Sequence, residues 1–154
     1  MFGKKKKPKK IEGTIKLQPL DFPAKVIHVW SKAIEGDKQC LEILLKSEYK
    51  PLGLFVYALH LKDDARDWLL HNGYAHLMAM INGIEGNADA INWLAQHNFQ
   101  ILMHMALSAD GDKESFDWLV QNGQNDFALM SKKIEHLKDQ IEMDHNDVHK
   151  ISGN

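Results

Sequence analysis

The chain has 154 residues, with 44% hydrophobic and 26% charged side chains. That is the balance of one soluble globular domain able to bury about two thirds of its unfolded surface. The single cysteine, Cys40, excludes an internal disulfide framework and a cysteine-based zinc site, and no apolar run reaches the ~18 residues of a membrane span. The net charge of −2 hides an asymmetry: residues 1–10 hold six of the 19 basic side chains and no acid, which leaves 13 basic against 21 acidic, or −8, for the rest.

The lysines of the first segment are Lys4, Lys5, Lys6, Lys7, Lys9 and Lys10, set among Gly3 and Pro8. Clustered like charges without apolar partners predict a disordered tail over 1–10. No apolar stretch of a secretory signal follows it, so a cytoplasmic location is expected. Such a tail suits nucleic-acid phosphates through counterion release, or an anionic lipid surface at about 1 kcal/mol per lysine. It also resembles a lysine-rich nuclear import signal. Against these stands a plain solubilising tail. Over 11–21 the alternation of Ile15 and Leu17 suggests an extended segment lying on the first helix.

Beyond residue 21 a 25-residue period organises the chain. Trp68, Trp93 and Trp118 are each followed by leucine (Leu69, Leu94, Leu119), and Ile43-Leu44 holds the same place one period earlier. Ala33-Ile-Glu-Gly-Asp37, Gly83-Ile-Glu-Gly-Asn87 and Ser108-Ala-Asp-Gly-Asp112 keep the same register. Each period reads as two antiparallel helices. Asp37, Asn87 and Asp112 are N-cap residues, with Lys62 the exception in their column, and acids follow in the first turn. Gly73, Asn98 and Gly123 suit the left-handed residue that ends the first helix.

Apolar columns recur at i, i+3, i+4. The first helices carry a small column (Cys40, Ala65, Ala90, Ser115), the tryptophans and a leucine column. The second helices carry Leu52, Leu77, Leu102 and Phe127, then Phe55, Met80, Met105 and Met130, then Val56, Ile81 and Ala106. Ile27, Trp30 and Ala33 extend these columns backwards. The expected fold is all-α: a right-handed α-solenoid of stacked antiparallel hairpins over residues 22–142, since a hairpin of this kind buries its face only against neighbours. It comprises an N-terminal cap helix over 22–35, repeats at 37–61, 62–86 and 87–111, and a last unit at 112–142 ending in a polar-faced cap helix. Residues 143–154 read as a frayed tail.

The pattern is similar to the α-hairpin repeat class, which includes armadillo, HEAT and tetratricopeptide proteins. Trp-Leu-x-x-Asn-Gly at 68–73 and 118–123 resembles the helix-to-loop step of ankyrin repeats. The likeness spans residues 22–135. These units lack the ~33-residue length of ankyrin repeats and their Thr-Pro-Leu-His signature, so no binding residue carries over. The resemblance implies partner binding on a curved surface.

Several constellations compete for function. The tryptophans suit a binding ladder, but their place beside the leucines predicts that they wedge between hairpins, too far apart for ring stacking from one column position to the next. Glu35, Glu85, Asp110 and Glu135 form an acidic row, with His60 in the same column, suited to a basic partner. Nine histidines, among them His71, His76 and His97 near short loops and the pair His145 and His149, invite a metal reading, yet no set of three or four converging ligands is fixed. No nucleophile motif or phosphate loop occurs, and Cys40 belongs to the small core column. No cofactor or metal is expected. The leading expectation is a non-catalytic protein-interaction module. The alternatives are a binder of nucleic acid or an anionic surface through the lysine tail, and an enzyme formed by the histidine-bearing loops.

Overall fold

A computed structural model describes the backbone of residues 22–152 and the side chains of residues 22–146. The lysine tail, the 11–21 segment and the side chain of His149 lie outside these described residues. Among them the chain is all-helical. Its helices are α1 (Ala24–Glu35), α2 (Lys38–Leu45), α3 (Lys50–Leu59), α4 (Asp63–His71), α5 (Ala75–Ile84), α6 (Ala88–Gln96), α7 (Gln100–Ala109), α8 (Lys113–Gln121) and α9 (Asn125–Ser152).

Local chemistry sets the boundaries. Asp37 accepts the amide of Cys40 at 3.0 Å, Asn87 that of Ala90 at 3.0 Å and Asp112 that of Glu114 at 3.3 Å, so three of the even-numbered helices start on a side-chain cap. Lys62 begins α4 without one, and Asp63 and Asp64 meet the helix dipole instead. Gly73, Asn98 and Gly123 all have positive φ. Pro51 belongs to α3. It sits in the first turn, where its missing N–H costs no helical bond.

Packing divides the helices into two sets. Each even-numbered helix packs on the odd-numbered helices before and after it, and each odd-numbered helix packs on the next odd-numbered one. Short connections make neighbours in sequence antiparallel, so the odd helices run parallel to one another. The odd set carries the core. Trp30, Phe55, Met80, Met105 and Met130, one from each odd helix, are all 0% exposed, and Trp30 meets Phe55 edge-on with ring centroids 5.3 Å apart. Leu52, Leu77, Leu102 and Phe127 are buried beside them, and Leu44, Leu69, Leu94 and Leu119 anchor the even helices to this interior. Packing is close at Gly83 of α5, where a Cβ would lie 2.7 Å from the movable end of Ile91, its Cδ1, and 3.2 Å from Ala106 Cβ.

Two features depart from a row of hairpins with separate caps. First, α9 packs on α1 as well as on α7 and α8, so the odd helices close on themselves. Lys133 of α9 donates to Ser31 Oγ at 2.8 Å and pairs with Glu35 at 3.0 Å across this closing contact. Five odd-helix junctions are thus served by four even helices, and the α9–α1 junction has none among the described residues. Second, α9 does not end near residue 142 but continues to Ser152. No glycine or proline occurs between Gly123 and Gly153, so nothing in the sequence stops it. Residues beyond Glu135 project past the level at which α3, α5 and α7 end.

Candidate functional site

The odd helices all end on one edge of the molecule, and the acidic row stands there. Glu35 is the last residue of α1, Glu85 and Asp110 are the C-caps of α5 and α7, and Glu135 lies at the matching level of α9. Each acid has a cation from within the chain. Arg66 on α4 reaches Glu85 with two bonds, at 2.6 and 3.2 Å, and also donates to the Ala58 carbonyl at 2.9 and 3.1 Å. Lys138 bridges the Ile84 carbonyl, at 2.9 Å, and Asp110, at 2.5 Å. Lys133 joins Glu35 to Ser31, and Lys132 pairs with Glu135 at 3.3 Å. Arg66 and Lys138 answer the free carbonyls that a helix leaves at its C-terminus, while the acid of the next odd helix holds each cation in place.

These cations are partners that the acid column alone does not reveal. Arg66 stands in a column otherwise apolar (Leu41, Ile91, Phe116), and Lys133 in one otherwise small (Ala33, Ala58, Gly83, Ser108). A charged residue interrupting an apolar or small column is the signal that marks them.

His60, the odd member of the acid column, has its pKa lowered by burial and, secondarily, by Lys62. Asp37 is held below the ordinary carboxylate range chiefly by the Cys40 amide it accepts. Burial pushes the Cys40 thiol up, and Asp37 adds to this, which disfavours the reactive thiolate.

The opposite edge, where the odd helices begin, is built from rings. Trp68 stacks on Tyr74 at 5.9 Å and Tyr74 lies 5.9 Å from His76. His76 then stacks on Phe99 at 5.1 Å, and Phe99 on Trp93 at 6.0 Å. The tryptophans do not touch one another, yet the loop aromatics between them complete the path from Trp68 to Trp93. Burial raises the pKa of Tyr74 within it. His71 Nδ1 donates to the Asp67 carbonyl at 2.8 Å and His97 Nδ1 to the Trp93 carbonyl at 2.9 Å. A carbonyl only accepts, so the proton of each ring sits on Nδ1. The histidines near the loops therefore serve their own helices and the ring path. Among the described residues no group of three or more His, Cys, Asp or Glu is arranged to hold a metal ion.

The tryptophans lie between successive hairpins, as their columns predict, but they are only partly covered there. Trp68, Trp93 and Trp118 are half-buried and packed against the core. The leucine of each even helix supplies the inward contact, and the tryptophan one position earlier faces the boundary between that helix and the odd helix before it, which belongs to the preceding hairpin. Trp68 lines a groove of about 420 Å³ between α3 and α4 with Leu54, Tyr57 and Ala65, where Lys50 Nζ stands 5.4 Å from its ring. Trp93 lines one of about 510 Å³ between α5 and α6 with Met78, Ala79 and Ala90. At the boundary between α7 and α8, His104 lies on Trp118 at 4.0 Å and bonds Ser115 Oγ at 2.9 Å, while Ser115 donates to Asp112 at 3.0 Å. Burial lowers the His104 pKa, and Asp112 opposes that in part.

No family model, curated protein or solved structure matches this sequence. No helix among the described residues is long and apolar enough to cross a membrane.

Proposed function

We propose that this chain is a non-catalytic protein-interaction module located in the cytoplasm. Its hairpins are copies of one 25-residue unit, wound as a short right-handed α-solenoid, and its repeated surface receives an extended segment of a partner protein. The observation that supports this reading is the pair of open grooves at Trp68 and Trp93, 25 residues apart, each floored by a half-exposed indole and a small residue of the even helix (Ala65, Ala90). Half-exposed aromatics in concave sites are the usual anchors of protein interfaces. A partner with apolar side chains at matching intervals would fill both. The row of Glu35, Glu85, Asp110 and Glu135 contributes steering only, because the chain's own cations answer most of its charge.

Selection of peptides from a random display library on the full chain tests the reading. Enriched peptides are expected to lose affinity on Tyr57→Ala and on Met78→Lys, and to keep it when residues 1–10 are removed. Retention of polyanions alone, lost with residues 1–10 and falling steeply with salt, supports the polyanion reading instead.

A further inference from the structure

We propose that the cavity on the acidic edge is the docking site for the chain's own N-terminal segment, with Ile11 and Ile15 in the cavity and the lysines of residues 4–10 against the projecting part of α9. The cavity, about 300 Å³, lies beyond the ends of α3 and α5 and is walled by α9. Its apolar lining comes from Leu59, Leu61, Ile84, Ile134, Leu137 and Ile141.

Leu61 is the telling residue. It has φ +67, while its counterparts 25 residues away, Gly36, Gly86 and Gly111, hold the same left-handed conformation with no Cβ to strain. For a leucine this costs roughly 1–2 kcal/mol, and its side chain remains 53% exposed. The described part of the fold gains little packing from it. A strained apolar residue at the lip of an apolar cavity points to an occupant.

The surroundings say what kind. Residues 135–146 carry Glu135, Asp139, Glu142 and Asp144 against one lysine, Lys138, which is engaged by Asp110 and the Ile84 carbonyl. Glu142 itself lines the cavity and has no ion pair among the described residues. The fitting occupant is apolar and strongly cationic. The chain supplies one: six lysines, then Ile11, Ile15, Leu17 and Leu20 before Phe22.

The reach is sufficient. Phe22 stands at the start of α1, whose 12 residues rise ~18 Å towards the cavity's edge. The eleven residues back to Ile11 extend to ~36 Å at ~3.3 Å each. Tethering puts the segment at an effective concentration in the millimolar range, so weak apolar and charge contacts suffice.

The test uses the full chain as Cys40→Ser with a nitroxide on Gly13→Cys, reading methyl relaxation by NMR. Selective broadening of Leu61, Leu137 and Ile141 in dilute protein at low salt is expected, with Leu70 on the far edge unaffected. The broadening should vanish when the six lysines become glutamine, and on Leu61→Asn, which tolerates the left-handed conformation and so preserves the fold. Uniform or absent broadening overturns the proposal. So does broadening that appears in unlabelled-spin copies mixed with nitroxide-bearing ones, which would make the occupant a second molecule.

Discussion

The two edges of the molecule close the same hairpins by different physics. Where the odd helices end, Arg66 and Lys138 tie Glu85 and Asp110 to carbonyl oxygens of the preceding odd helix, and Lys133 of α9 holds Glu35 and Ser31 of α1. Where they begin, Tyr74, His76, Phe99 and two tryptophans make ring contacts instead. Charge pairs at a half-exposed edge are screened by salt, whereas apolar ring packing is not. One set of helices is therefore expected to carry an edge that responds to ionic conditions and an edge that does not.

The largest effect is expected on the aromatic edge. Phe99→Ala should cost about 3–5 kcal/mol in denaturant unfolding, since Phe99 is buried between His76 and Trp93, and the loss should be the same in low and high salt. Leu94→Ala, in the interior common to both edges, should cost about 2–5 kcal/mol. A loss within error would remove the leucine column from the core. On the acidic edge, Arg66→Gln should cost about 1–2 kcal/mol, through the lost Glu85 pair and the Ala58 carbonyl left unanswered. Here the loss should shrink in high salt. A salt-independent loss at Arg66, or a salt-dependent one at Phe99, would erase the contrast between the edges.

Smaller changes sharpen it. Leu61→Gly should stabilise the fold by about 0.5–1 kcal/mol, as relief of the left-handed strain exceeds the extra chain entropy of glycine. For His104 the sign follows from burial. Its pKa is lower folded than unfolded, so the unfolded chain binds the extra proton first. The stability associated with neutral His104 is present above its unfolded value of about 6.5 and is lost as pH falls through the lower folded value. Unfolding measured from pH 7 to pH 5 should show the wild type losing more stability than His104→Gln, and parallel curves would count against a buried neutral imidazole.

Much of the helical plan was legible in the letters. Periodicity identifies which side of a helix is covered, and this placed Leu52, Met80, Met105 and Leu94 in the interior. Asp37, Asn87 and Asp112 were readable as caps because capping is decided within a few residues. The contact of α9 with α1 was not legible. It depends on the angle between successive hairpins, summed over the chain, and no short window of sequence carries that sum. The half-exposure of Trp68 escaped for a related reason, because the stripe at i, i+3, i+4 does not say how far a large ring at its border is covered. Arg66 and Lys133 left a trace as charged residues in apolar or small columns, but their partners sit one hairpin or the whole chain away.

The meeting of the first and last odd helices has a consequence for how such a chain can change. An open row of hairpins tolerates gain or loss of a unit at either end, because each unit touches only its neighbours. Here, excising 25 residues would pull Lys133 away from Ser31 and Glu35, and duplicating them would leave a helix with no place beside α1. The architecture is modular in its letters and fixed in its tally, so this lineage is expected to vary by substitution within units rather than by changing how many it has.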